Sequence, residues 1–173
     1  METLQGFLEW AWARHHNLLS WYIRPLFVLP FCYFAYHKSL WGIGLTILAA
    51  ASSMSWFPAP ETIDARTAAF LAMEHHYLSS NWTFGKIALT TLAPTWAIVL
   101  ALAFWRRSWL AGFAVLNAGV VLKVIWSFYF GGDNAWSIVP PAIVGLVVCN
   151  AILLIAYRHI SDARQSISHW SQP

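Results

Sequence analysis

Residues 85–105 and 108–130 are two apolar runs of about twenty residues each, joined at the short stretch WRRSW. Lys86 and Lys123 are the charged positions inside them. Runs of this length match the hydrocarbon thickness of a bilayer. A chain in that medium must satisfy its own backbone N–H and C=O groups, and a helix does so within one segment. The same reading extends to residues 137–157, to 40–57 (LWGIGLTILAAASSMSWF), and to 18–36, which Arg24, Pro25 and Pro30 interrupt. The expected fold is an all-α integral membrane protein. It has about five transmembrane helices and one or two interfacial amphipathic helices on the non-cytoplasmic side. Residues 1–173 form a single polytopic domain in this reading, since no long polar stretch remains between the runs.

Composition excludes the soluble alternative. The chain is 59% hydrophobic and 10% charged, against about 25% charged residues in an ordinary soluble domain. The net charge of +3 is spread over basic residues that flank apolar runs. Membrane topology accounts for them better than a phosphate-binding patch, so no nucleic-acid partner is expected. The opening METLQGFLEWAWARHH lacks the basic segment of a cleaved signal peptide. Cys32 and Cys149 both lie in apolar runs and read as small buried hydrophobes.

Arg106 and Arg107, in the shortest connection, are expected to face the cytoplasm. Parity then places the C-terminus there too, and puts the N-terminus, residues 58–84 and the GGDNAW loop outside. The membrane would be an inner or plasma membrane. All acids but Asp162 fall on that outer side. Twelve tryptophans cluster near span ends, as an interfacial aromatic belt would place them. The sequence NWT at 81–83 matches a glycosylation acceptor, a pattern common by chance.

Two amphipathic segments carry an ionisable residue on the apolar face. In 61–79, opened by Glu61 and Asp64, about 100° per residue aligns Ile63, Thr67, Phe70, Leu71, Tyr77 and Leu78. Glu74 falls near the centre of that stripe. His75 lies at its flank, and His76 turns further away, so the adjacent histidines do not converge. In 3–22, an in-plane helix over about 3–17 leads into the first span. There Leu4, Phe7, Leu8, Ala11, Leu18, Leu19 and Tyr22 align with His15 among them. A buried carboxylate or imidazole costs several kcal/mol (of order ~2–7) unless it is paired or neutralised. The bland reading is that both sit wet at the headgroup level.

Lys123 shares a face with Gly112, Leu116, Gly119, Val120 and Ser127, a small-residue stripe of the kind that packs on other helices. An ionisable residue on such a face marks a site, unless its stem lifts the ammonium to the surface. Arg24 lies at similar depth in the first span, or anchors its start if the helix begins at Pro25. The expected ligand-binding set is Glu74, Lys123, His15, His75, Arg24 and Asp133, with Glu74–Lys123 as the pair. Asn117 and Asn150 are explained by interhelical hydrogen bonds.

The chemistry stays open among several classes. A small ion or polar or anionic headgroup could bind in an outer-facing intramembrane pocket, for transport or sensing. An accessory or assembly subunit of a larger membrane complex is an alternative, with a homo-oligomer as a further arrangement. A third is an interfacial enzyme using Glu/His acid–base or metal chemistry on an amphiphile. A metal would have to combine His15, Glu74 and His75, because no HExxH or HxxxH spacing occurs. No G-x-S-x-G or phosphate-binding glycine loop is present, and no cofactor is specifically indicated. Membrane lipids are the one general partner. In size, span number and tryptophan content the chain resembles the tryptophan-rich sensory (translocator) proteins. Their first long loop follows the first span, whereas the long interval here follows the second, and no family is assigned.

Overall fold

A computed structural model describes the backbone of residues 2–170, with side chains at residue 3 and over 6–163. Among the described residues every regular element is helical: α1 (Glu2–His15), α2 (Leu18–Ile23), α3 (Val28–Tyr36), α4 (Leu40–Ser52), α5 (Ala65–Ser79), α6 (Phe84–Trp105), α7 (Trp109–Gly131) and α8 (Val139–Trp170). Short 3-10 turns at Arg24–Phe27, Ser53–Ser55 and Gly132–Ser137 follow α2, α4 and α7. Four segments are long and apolar enough to cross a membrane: Leu18–Tyr36, Phe84–Trp105, Trp109–Ser137 and Val139–Ala163. Leu40–Ser55 is apolar but shorter. At about 1.5 Å per residue it measures roughly 24 Å, against a hydrocarbon core of about 30 Å.

Local chemistry sets the boundaries. Asn17 ends the periodicity that the sequence carries from residue 3 to 22. Its side chain accepts from Leu19 N and restarts the helix, and its amide donates to Pro58 O at 3.0 Å. The backbone therefore breaks into two helices between His15 and Leu18. Leu4, expected on the apolar face, has a side chain outside the described residues. The second amphipathic helix begins at Ala65, because Asp64 takes the cap position. That leaves Glu61, expected to open the helix, and Ile63, expected on its apolar face, before its first residue. Pro140 and Pro141 occupy the first turn of α8, where a missing N–H costs nothing. Helix α6 continues through Pro94.

The core is built from close approaches at small residues. Phe31, Cys32, Ala35, Leu100, Phe104, Leu116, Cys149 and Leu153 are buried together. Gly119 makes room for Trp96: a Cβ there would lie 1.9 Å from the indole nitrogen, which donates to Val115 O at 2.8 Å. Gly145 does the same for Pro25, whose carbonyl accepts from the Cys149 thiol at 3.3 Å. Both cysteines are free and buried. Asn117 and Asn150 join α7 to α8 by reciprocal amide hydrogen bonds of 3.0 and 3.3 Å.

The bundle has two distinct ends. At one, α1 packs on the turn after α4, and α5 packs on the turn after α7. This polar end holds the ionisable cluster. At the other, α3 turns into α4 and α6 into α7 through matching corners. Lys38 (φ 58°) and Arg107 (φ 57°) occupy the left-handed region there. Ser39 N then bonds Phe34 O at 2.9 Å and Ser108 N bonds Ala103 O at 2.9 Å, the six-to-one closure of a Schellman turn.

Candidate functional site

Helix α5 is fixed at both termini, and this aims Glu74. At its start Asp64 accepts from the backbone N–H of Arg66 and Thr67, each at 3.0 Å, and from the Thr67 hydroxyl. The Thr67 hydroxyl and these amides hold the Asp64 carboxyl below its ordinary range. At its end Lys86, 7% exposed, donates to the Ser80 carbonyl at 2.8 Å and the Ser80 hydroxyl at 3.2 Å. The ammonium also lies 4.4 Å from the Trp82 ring and 4.9 Å from the Tyr77 ring. A cation at the negative end of the helix dipole completes the cap. Between these anchors Thr67, Phe70 and Leu71 are buried. Glu74 follows one turn after Phe70 on the same face.

Two elements bring side chains to Glu74, and a third joins them through His15. From α7, Lys123 Nζ donates to Glu74 Oε1 at 3.4 Å and lies 4.4 Å from the Trp126 ring. From the end of α1, His15 Nε2 faces Glu74 Oε2 at 3.7 Å. That separation is too long for a hydrogen bond and is an electrostatic contact. From the end of α2, Arg24 Nη2 donates to His15 Nδ1 at 2.7 Å and to Ser20 Oγ at 3.3 Å. Tryptophans frame the group: His15 lies 5.2 Å from the Trp12 ring and 6.2 Å from Trp21, whose indole donates to His15 O at 3.0 Å. Burial pushes the Glu74 carboxyl up, but the His15 imidazole and the Lys123 ammonium outweigh it and hold the carboxyl below its usual range.

Of the six expected residues, Arg24, His15, Glu74 and Lys123 form one chain of contacts. His75 stays at its flank: it is exposed, with its ring 5.2 Å from Trp12. Asp133 is exposed in the turn after α7, and among the described residues it forms no ion pair with the group. Lys123 takes the second of its two expected placements, with its stem lifted toward the surface. Its neighbours Gly112, Leu116 and Ser127 are buried, yet its own side chain is 53% exposed. Helix α5 covers the carboxylate and leaves the lysine stem at the rim. Leu78, expected on the apolar stripe, is likewise exposed.

Lys86 was not among the sequence candidates. The signal available for it was its place, six residues after Ser80, within reach of the carbonyl end of the preceding helix. Among the described residues no three His, Cys, Asp or Glu side chains are grouped to hold a metal ion. A separate groove of about 260 Å³ lies at the start of α5, lined by Tyr22, Asp64, Arg66, Trp136 and Pro140–Pro141. It is not the Glu74 cluster.

The cluster carries unequal charge. A guanidinium and an ammonium face one carboxylate. Among the described residues, Nη2 is the one Arg24 nitrogen that is hydrogen-bonded, and Nε and Nη1 have no partner. The chain matches no protein-family model, no curated protein and no solved structure.

Proposed function

We propose that this is a multi-pass membrane protein that binds a small anion, a carboxylate or a phosphate headgroup, at the polar end of its bundle. Leu40–Ser55 is its fifth crossing in this reading, thinned to fit or tilted little. The polar end faces away from the cytoplasm, and the Arg106–Arg107 corner faces into it. The observation that carries the binding is the unequal charge of the cluster, Arg24 and Lys123 against Glu74, with the Nε and Nη1 donors of Arg24 unbonded among the described residues. Nε and Nη1 lie on opposite sides of Cδ, and each can donate one charge-assisted hydrogen bond to a carboxylate or phosphate oxygen. Arg24 is held in place through Nη2 by neutral groups, and Lys123 stands across Glu74 as a second cation at the rim.

Binding of dimethyl phosphate to the detergent-purified chain, followed by calorimetry, tests this. Arg24→Gln is expected to weaken binding by about tenfold or more, the size of a charge-assisted hydrogen bond, while the protein stays folded. Lys123→Met should weaken it less. Undiminished binding by a folded Arg24→Gln protein would remove the anion reading.

An accessory role in a larger assembly has one observation in its favour. Phe7, Leu8 and Trp10 on α1 are exposed at 59%, 58% and 44%. An apolar face turned away from its own bundle suits a partner helix as well as it suits lipid. Co-purification in fixed ratio with another membrane protein, together with instability of the isolated chain, would favour that role.

A further inference from the structure

A guanidinium has five N–H donors and no acceptor. The 2.7 Å contact between Arg24 Nη2 and His15 Nδ1 therefore makes Nδ1 the acceptor. The imidazole is neutral in this state, and its single ring proton sits on Nε2, toward Glu74. A second proton, arriving from water on Nδ1, removes the lone pair that holds Arg24. It also sets an imidazolium against a guanidinium at hydrogen-bond distance, where His15 is 9% exposed and salt screens little. The contact does not survive that change.

We propose that His15 Nδ1 is a proton-uptake site coupled to the anion site, so that the protein binds its anion together with a proton. This rests on the anion-binding reading above and names its regulation. Before protonation, Arg24 and Lys123 against Glu74 leave one net positive charge, and the proton adds a second. Arg24 Nη2 is then free to complete a bidentate edge, with Nε or with Nη1, for the anion. No covalent bond forms or breaks beyond the N–H on Nδ1.

The charged and titratable neighbours of His15 assign the roles. Glu74 from α5 faces Nε2 and is the counter-ion of the imidazolium. Arg24 from the end of α2 faces Nδ1 and opposes it. Lys123 from α7 stands behind Glu74 and competes for the same carboxylate. His75 from α5 meets the group through the Trp12 ring. On its own element, His16 has its Nδ1 engaged with Trp12 O at 2.7 Å. The turn Ser53–Ser55, which packs on α1, carries no ionisable side chain. Linkage is reciprocal: if protonation favours the anion, the anion favours protonation by the same factor.

The test uses the full chain in an uncharged detergent and dimethyl phosphate, whose single charge does not change across the range in which an imidazole ordinarily titrates. Its affinity is expected to rise as pH falls from about 8 to about 5, by up to about tenfold per pH unit for one coupled proton. His15→Gln keeps an acceptor for Arg24 but takes no proton, so it should bind with a flat pH profile. Ring ¹⁵N shifts of His15 in the ligand-free protein, at the alkaline end of that range, should report the Nε2–H tautomer. The Nδ1–H tautomer overturns the coupling without reference to any ligand. Binding that ignores pH in the wild type, or a slope that persists in His15→Gln, overturns the coupling and leaves the anion site standing. Absence of binding at both ends of the range overturns both.

Discussion

The two ends of the bundle both gather cations, and they treat them in opposite ways. At the corner end, Lys38 and Arg107 sit in left-handed turns. Arg107 lies 5.3 Å from the Tyr36 ring, and Tyr36 and Tyr157 each lie 5.5 Å from the Trp109 ring. Hydrogen-bonded backbone and stacked rings close this end, and its charges are peripheral. At the polar end, Arg24, Lys123 and Lys86 are each tied to a side chain or carbonyl of another element. Charge holds that end together. Packing should therefore dominate stability at the corners, and titration should act at the polar end.

The strongest way to sharpen this contrast is Phe104→Ala. Phe104 is 1% exposed, and its ring fills the space over Gly112, where a Cβ would lie 2.7 Å from it. Truncation should cost about 3–5 kcal/mol, read as a large fall in the thermal midpoint in detergent. That fall should be the same at neutral and acid pH.

A smaller effect of different character belongs to Glu74→Ala. It leaves two cations and an imidazole without their carboxylate and should cost about 2 kcal/mol. Lys123→Met should cost less than about 1 kcal/mol, since its side chain is half exposed. The sign of the pH effect follows from the depressed Glu74 carboxyl. Its contribution is fully present above the ordinary glutamate value of about 4.3 and is lost as pH falls through the lower folded value. Acid unfolding of wild type and Glu74→Gln should differ at neutral pH and converge in acid. Parallel curves would show that the carboxylate carries no such role.

The smallest effect runs the other way. Lys38→Gly removes a side chain from a left-handed position and should stabilise the corner by up to about 1 kcal/mol. A loss of stability there would mean that the Lys38 side chain contributes more than its backbone strain costs.

Much of the architecture is written in the sequence. Apolar run length foretells the four long helices, because backbone satisfaction in lipid leaves few alternatives. Helical periodicity places Glu74 on the buried face of α5 beside Phe70 and Leu71, and separates His75 from it. Boundaries are legible only approximately: the amphipathic segment read from residue 61 begins as a helix at Ala65, where Asp64 caps it, and periodicity is blind to a side chain that bonds the backbone. The sequence left the exposure of Lys123 open between a packed face and a stem lifted to the surface, since exposure depends on where α5 stops covering α7. The contact of Arg24 with His15 depends on the break at Asn17. That break brings the end of α1 against Trp21 and Arg24 at the end of α2, and no spacing rule contains it.

The amide clasp between Asn117 and Asn150 has a consequence for how the bundle can move. Each side chain is satisfied by the other and by its own helix, Asn117 through Phe113 O and Asn150 through Leu146 O. Sliding α8 past α7 by one turn, about 5.4 Å, would separate the two amides inside an apolar medium. Rocking about the clasp would keep them together. The clasp is an uncharged fulcrum, indifferent to acidity, about which the two longest helices can pivot while their registry stays locked.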